Sequence, residues 1–361
     1  MELTFRQFDH EANLTEQRLL FRNSFPESVG TPAETPEHYY WKFHSFPGKV
    51  KSHEYGAWAK ETDTLVGYYA AIPYRYRIGD QTLVCGMVCD VMTHSSARGQ
   101  GVFTRLGKYA TEELKNSRIS FTTGYPIRPE VIPGHLKVGW KIAFPLPMYI
   151  KPLRANALLE AKKLKRLTPI TNVALKAFNF CTSRAFTSSE RYSATITDRE
   201  GLVDLLEYDE FFADWSKGQN HILVKDREFW KWRLGAPGTE YKIICIYEAR
   251  QLIAIAVTRA TALMNIPTLA VLDLMIVPGH ERCLTFLHRE TEALAHTLKT
   301  EAISLMLSRT WARQYRLLTH GFLRSPFVFQ LIFKRLSDLI SEESLCGEQN
   351  WHLMWVDCDD L

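Results

Sequence analysis

Arg98, Gly99, Gln100 and Gly101 stand between an apolar run that closes at Met92–Thr93 and a helix-like run that opens at Val102–Phe103. Strand, glycine-bearing turn and helix start, in that order, make a cradle for an anion. Glycine lets backbone N–H groups approach closely, and the first turn of a helix carries unpaired donors with partial positive charge. Successive N–H groups of such a turn form an anion-binding concavity. Arg98 adds a fixed cation with a forked donor. The stretch lacks the Gly-Lys-Ser/Thr ending of a P-loop and the spacing of the three-glycine dinucleotide fingerprint, so neither of those readings applies.

Asp90 is the second residue that could do chemistry. It interrupts Met87-Val-Cys-Asp-Val-Met92, an apolar strand in which a carboxylate needs a reason. Burial there would raise its pKa toward a useful range for a general base. Its counterpart Asp273, in Val271-Leu-Asp-Leu-Met275, equally fits a structural role. The seven cysteines are scattered and form no Cys-x-x-Cys pair. No metal site is expected, and buried reduced thiols are the better reading.

The elements that must position these residues occur twice. His38-Tyr-Tyr-Trp-Lys-Phe and Arg227-Glu-Phe-Trp-Lys-Trp each precede a Pro-Gly, which aligns Trp41-Lys42 with Trp230-Lys231. Two strand-like runs separated by a polar turn follow each, as in a hairpin. Then come the strand with Asp90 or Asp273, a helix, another strand, and Val138-Gly-Trp or His320-Gly-Phe. Between the copies, Lys162, Lys163, Lys165 and Arg166 lie on a helical stretch, read as the solvated face of a linker. The C-terminal tryptophans are expected to dock the tail, with the closing acids Asp357, Asp359 and Asp360 solvated.

With 361 residues, 46% hydrophobic and 23% charged, the chain suits a globular protein of two domains. A net charge of +4 does not argue for DNA unless the charges cluster. No signal peptide and no bilayer-spanning run is read, so membrane insertion is not expected and a cytoplasmic location is the default.

The Arg-x-x-Gly spacing, preceded by Thr93-His94 and by a strand, resembles motif A of the GNAT superfamily of acyl-CoA-dependent N-acyltransferases. The family commonly has Gly or Ala where Phe103 stands, and a Phe there is familiar in one branch. Gly124-Tyr125-Pro126, Pro133-Gly134, Gly139-Trp140-Lys141 and Pro147-Met-Tyr-Ile-Lys-Pro-Leu resemble the two-module branch. The resemblance implies an α/β fold (α+β mixed sheet) of two GNAT-like modules, each a mostly antiparallel mixed sheet flanked by helices. It places an acyl-CoA-binding module at 1–153, a basic linker at 154–190, a degenerate module at 191–336 and a tail at 337–361. The second turn, Val277-Pro-Gly-His-Glu-Arg-Cys283, keeps one glycine, and Pro278 lacks an N–H.

For the donor, acetyl-CoA or another acyl-CoA, the resemblance implies backbone contacts from Val91, Met92 and Thr93 to the pantetheine arm. Arg98, Gly99, Gln100, Gly101, Val102, Phe103 and Thr104 would meet the pyrophosphate. Catalysis would be direct attack of an amine on the thioester, with Asp90 as base or amine-positioning group. A backbone N–H of the strand before the turn would stabilise the oxyanion. His135 stands where the family often has a Tyr as acid; Tyr125 is the alternative. His94 is expected to hold the loop. The acceptor implied is a small-molecule amine, such as an amino sugar or amino-acid derivative. Rival readings are a Fem-type transferase using aminoacyl-tRNA and a non-catalytic acyl-CoA-binding protein.

Overall fold

The β-branched and apolar runs form strands, and among the described residues they join one mixed sheet. The computed structural model describes residues 1–48, 51–126, 128–183 and 191–358. The first half contributes β1 (Leu3–Gln7), β2 (His53–Ala59), β3 (Thr64–Ile78), β4 (Gln81–Thr93), β5 (Phe121–Gly124) and β6 (Lys141–Pro152). The second contributes β7 (Tyr192–Thr197), β8 (His221–Leu223), β9 (Lys242–Glu248), β10 (Gln251–Leu263), β11 (Ile266–Ile276), β12 (Ala302–Met306) and β13 (Leu323–Arg335). The order is β1-β2-β3-β4-β5-β13-β6-β12-β11-β10-β9-β7, with β8 paired to β3.

Read inward from either edge, the succession is the same. Antiparallel neighbours lead to β4 or β11, and each of these then takes a parallel partner, β5 or β12. The halves exchange their last strands: β13 pairs with β5, β6 pairs with β12, and β6 and β13 pair with each other. The sheet therefore runs unbroken through the middle of the molecule.

Four helices of the first half carry the site: α1 (His10–Ser24), α2 (Pro36–His44), α3 (Val102–Asn116) and α4 (Ile132–Lys137). Asp9 caps α1 by accepting from the N–H groups of Glu11 and Ala12, and Thr35 caps α2, with Pro36 at its first position. Val102, Leu106, Ala110 and Leu114 recur every four residues on α3, and all are buried. Burying a side chain of Leu size stabilises by about 2 kcal/mol, so this stripe fixes α3 on the sheet.

Trp41 and Trp232 join the halves. Each indole N–H donates to the other's backbone carbonyl, at 2.6 and 2.8 Å, and the rings stack with centroids 5.6 Å apart. The residue that meets Trp41 across the halves is thus Trp232, not Trp230. Trp230 is instead fully buried, with its N–H on the Tyr208 hydroxyl.

The tail Trp351–Cys358 is buried throughout. Asp357 is not the solvated charge expected of it. It lies 3.6 Å from the Lys225 ammonium, which is 2.8 Å from Asp273, and all three side chains are inaccessible. The expected acids Asp359 and Asp360 lie outside the described residues, as does the end of the linker, 184–190. Lys162, Lys163, Lys165 and Arg166 are exposed, and Lys165 pairs with Glu160. Among the described residues no disulfide joins the cysteines; Cys181 and Cys346 are exposed, contrary to the expectation that the thiols are buried. Among the described residues no helix is long and apolar enough to cross a membrane.

Candidate active site

β4 and β5 pair in parallel only from Cys85–Phe121 to Met87–Thr123, and then part. β4 continues to Thr93, while β5 ends at Gly124 and leads into Tyr125-Pro126. Past the last pair, β4 carries a bulge against β3. Tyr68 faces Met92 and Ala70 faces Cys89, so β4 holds one residue more. Asp90 sits there with φ +47, in the left-handed region that Asp tolerates better than most residues. A bulge re-aims side chains. The Asp90 carboxylate accepts a hydrogen bond from Lys42 on α2 at 2.8 Å, and the two side chains are only 10% and 8% exposed.

The glycine turn follows directly. Gly99 and Gly101 have φ of +76 and +74, which accounts for glycine at both places. A Cβ at Gly99 would meet nothing within 4 Å, so the turn is open. No side chain caps α3. The cradle is held from outside: Asn23 accepts from the Ser95 N–H at 2.9 Å, and His94 Nδ1 accepts from the Ser96 N–H at 3.3 Å. In the second half the matching turn engages one of its backbone donors with its own carboxylate, since the Gly279 N–H donates to Glu281 at 3.0 Å.

A cavity of about 480 Å³ opens where β4 and β5 part. Of the residues named from sequence, Asp90, Val91, Phe103, Tyr125 and His135 line it. Met92 is buried in the sheet, Thr93 and Thr104 are half-buried, and Arg98, Gly99, Gln100 and Gly101 are exposed on the turn. The Val102 side chain is buried, closely packed over Gly67, so only its backbone is available to a ligand. The Phe103 ring lies against Gly134, where a Cβ would come within 2.6 Å of it. This contact accounts for a large residue at 103 and a glycine at 134.

His135 packs edge-on against Phe103 and Trp140, at 5.0 and 4.8 Å between centroids. Burial lowers its pKa to about 4. The ring is therefore neutral at neutral pH, and the imidazolium needed to protonate a thiolate is not there. Burial, reinforced by the negative charge of Asp357, raises the Tyr125 phenol well above 10. The Tyr125 hydroxyl is inaccessible to solvent, so Tyr125 borders the cavity with its other atoms.

The far wall comes from the second half: Arg233, Ala236, Pro237, Thr239, Tyr241 and Arg259. The roof is the segment between α1 and α2, including Phe25, Ser28, Thr31 and Pro32. Gly238, at φ +69, lies so close to Pro32 that a Cβ would come within 2.7 Å. Lys42 was a landmark of the repeat in the sequence, without a chemical role. Arg259 and Tyr241 carried no sequence signal, because their meaning depends on the opposite half. Among the described residues no cluster of three His, Cys, Asp or Glu side chains could hold a metal ion.

The family model described as acetyltransferase (GNAT) domain matches residues 11–143. No curated protein sequence matches the chain. A GCN5-related N-acetyltransferase from Anabaena variabilis is similar in structure with a TM-score of 0.65 at 11% identity, over 93% of this chain and 73% of that one. A probable N-acyltransferase from Enterococcus faecalis gives a TM-score of 0.63 at 11% identity, over the same shares. Saccharomyces cerevisiae N-myristoyltransferase with bound myristoyl-CoA gives 0.60 at 13% identity, over 92% of this chain and 79% of that one. At such identities the likeness is one of fold. Residues 11–143 thus match the GNAT acetyltransferase domain, and the chain shares its fold with N-acyltransferases of known structure.

Proposed function

We propose that this protein is an acyl-CoA-dependent N-acyltransferase, most simply an acetyltransferase, whose acceptor is a primary amine of a small molecule. One observation carries the reading. The parting of β4 and β5 and the bulge at Asp90 open on one cavity, and β4 runs on from there into the open turn at Gly99–Gly101. The residues present fit the donor. Two left-handed glycines and an uncapped helix start offer backbone donors to a diphosphate. Beyond the last β4–β5 pair, the backbone of Val91, Met92 and Thr93 is placed to run along a pantetheine arm. Acyl-CoA, when bound, supplies an activated acyl group as its thioester.

The chain's own residues then have the following roles. Asp90, held by Lys42, orients the ammonium of the acceptor and receives its proton. His135 and Phe103 present a neutral, largely apolar wall that excludes water from the reacting end. The second half binds no donor, because its turn keeps one glycine, has Pro278 without an N–H and engages the Gly279 N–H with Glu281, and instead closes the acceptor side of the cavity.

The test combines binding and turnover. Acetyl-CoA should raise the melting temperature by mass action, and Gly101→Glu should remove that shift. Thiol release with a panel of amines should follow in the wild type alone. A shift that survives in Gly101→Glu would place the donor elsewhere. A shift without thiol release for any amine would make this a binding protein.

A further inference from the structure

Two arginines, Arg233 and Arg259, stand on the second-half side of the cavity. Its charged lining comprises Lys42, Arg128, Arg233 and Arg259 against the carboxylates of Asp90 and Glu27. Lys42 pairs with Asp90, and Arg128 pairs with Glu27. Arg233 is buried and donates to the carbonyl oxygens of Val356 and Cys358, at 3.4 and 3.1 Å, which fixes its positive charge at the wall.

Arg259 differs from these. It sits half-buried on β10, and among the described residues its guanidinium has neither an ion-pair nor a hydrogen-bond partner. Beside it stands Tyr241, only 4% exposed, whose hydroxyl is inaccessible and makes no hydrogen bond. Burial pulls the Arg259 pKa below its usual value, with the Tyr241 phenol opposing and the Arg233 charge adding to the effect. A desolvated cation without a counter-charge is costly to keep. Such a guanidinium on a cavity wall has the chemistry of a site completed by a ligand. A guanidinium fork is a cationic donor, so the missing group is an acceptor with negative charge.

We propose that Arg259 forms a subsite for an anionic group, carboxylate or phosphate, on the acceptor amine. The acceptor is then an amino acid-like or phosphorylated amine, not a neutral amino sugar. This rests on the reading of the cavity as the acceptor site. Asp90 faces the amine at the first-half end, and Arg259 holds the anion at the second-half end. The two halves of the chain thereby divide recognition of one zwitterionic molecule.

Melting of the full chain with paired probes, in the absence of donor, tests this. The pairs are α-amino acids with their carboxamides, phosphoethanolamine with ethanolamine, and glucosamine 6-phosphate with glucosamine. The expected result is a rise in melting temperature with at least one anionic member and none with its neutral mate. The amino-acid pairs separate carboxylate from phosphate recognition. In Arg259→Met that rise should vanish while the rise with acetyl-CoA persists, and in Arg259→Lys, which keeps the charge without the fork, it should persist in weakened form. Equal shifts with neutral mates, no shift with any anionic probe, or loss of the acetyl-CoA shift in Arg259→Met would each overturn the proposal. Absence of an acetyl-CoA shift in the wild type would instead sink the acyltransferase reading, and the anion result would stand by itself.

Discussion

Glu281 accepts a hydrogen bond from the backbone N–H of Gly279, in the turn that matches the open Gly99–Gly101 cradle of the first half. The two turns share a topology and differ in the backbone donors they offer. A carboxylate already in the second cradle repels a diphosphate, and Pro278 has no N–H to offer. Calorimetric titration with acetyl-CoA should therefore give one site per chain. Glu281→Gln should leave the stoichiometry at one, since it restores neither the second glycine nor the missing donor. A second site appearing in that variant would show that Glu281 alone had blocked it.

Lys42 and Asp90 form an ion pair with little access to solvent. Removing one partner of such a pair strands the other charge, at a cost of about 3–5 kcal/mol. Lys42→Met should lower stability by that order in urea denaturation. Lys42→Met combined with Asp90→Asn should be more stable than Lys42→Met alone. Asp90→Asn alone should bind acetyl-CoA normally and lose turnover, by about a hundredfold if the carboxylate receives the proton. Unchanged turnover in Asp90→Asn would confine the pair to a structural role.

Asp357 introduces a pH dependence. Burial, only partly offset by Lys225, raises its pKa to about 6. An aspartate in the unfolded chain titrates near 3.9, so the unfolded chain loses this proton first. The contribution of Asp357 to stability is greatest below pH ~4 and falls as pH rises to about 6, by roughly 3 kcal/mol. His135, His221 and His320, each lowered to about 4 by burial, act oppositely in the same window. The difference between wild type and Asp357→Asn isolates the carboxylate. Asp357→Asn should gain on the wild type between pH 4.5 and 7.5 in denaturant melts at constant salt. A difference that does not change with pH would contradict this account of the Lys225–Asp273–Asp357 cluster.

Gly134 is the floor under Phe103. Adding a methyl group there forces the ring to swing, at a cost of about 1–3 kcal/mol for overpacking. Gly134→Ala should lower the melting temperature and weaken acetyl-CoA binding, because Phe103 stands at the start of α3 and on the cavity wall. Gly134→Ala with Phe103→Ala should recover donor binding. No recovery in the double variant would mean that Gly134 acts through α4 and not through the ring.

Much of this was legible because it is local. Arg98 to Phe103 reads as a turn into a helix from glycine and the apolar stripe of α3 alone, and Asp90 stands out against its own strand. Contacts between distant segments were not legible. The exchange of β6 and β13 leaves no mark on either sequence, since each is an apolar strand that would pair equally well in its own half. That Trp232 and not Trp230 meets Trp41 across the halves depends on the folded chain, and only the reciprocal hydrogen bonds reveal it. Asp357 belongs to an acidic chain end of a kind that is usually solvated, and its burial follows from Lys225, far away in sequence. His135 fitted an acid by position, but its aromatic neighbours hold it neutral.

The central claim is that backbone donors at Gly99, Gly101 and the start of α3 hold the diphosphate of an acyl carrier. Calorimetry comparing acetyl-CoA with S-acetylpantetheine, which carries the same thioester arm without the diphosphate, tests it most directly. Two charge-assisted hydrogen bonds amount to about 3 kcal/mol or more, so acetyl-CoA should bind at least about a hundredfold more tightly. Gly101→Glu should erase that preference. Equal affinities for the two donors in the wild type, or a preference that survives in Gly101→Glu, would contradict the account.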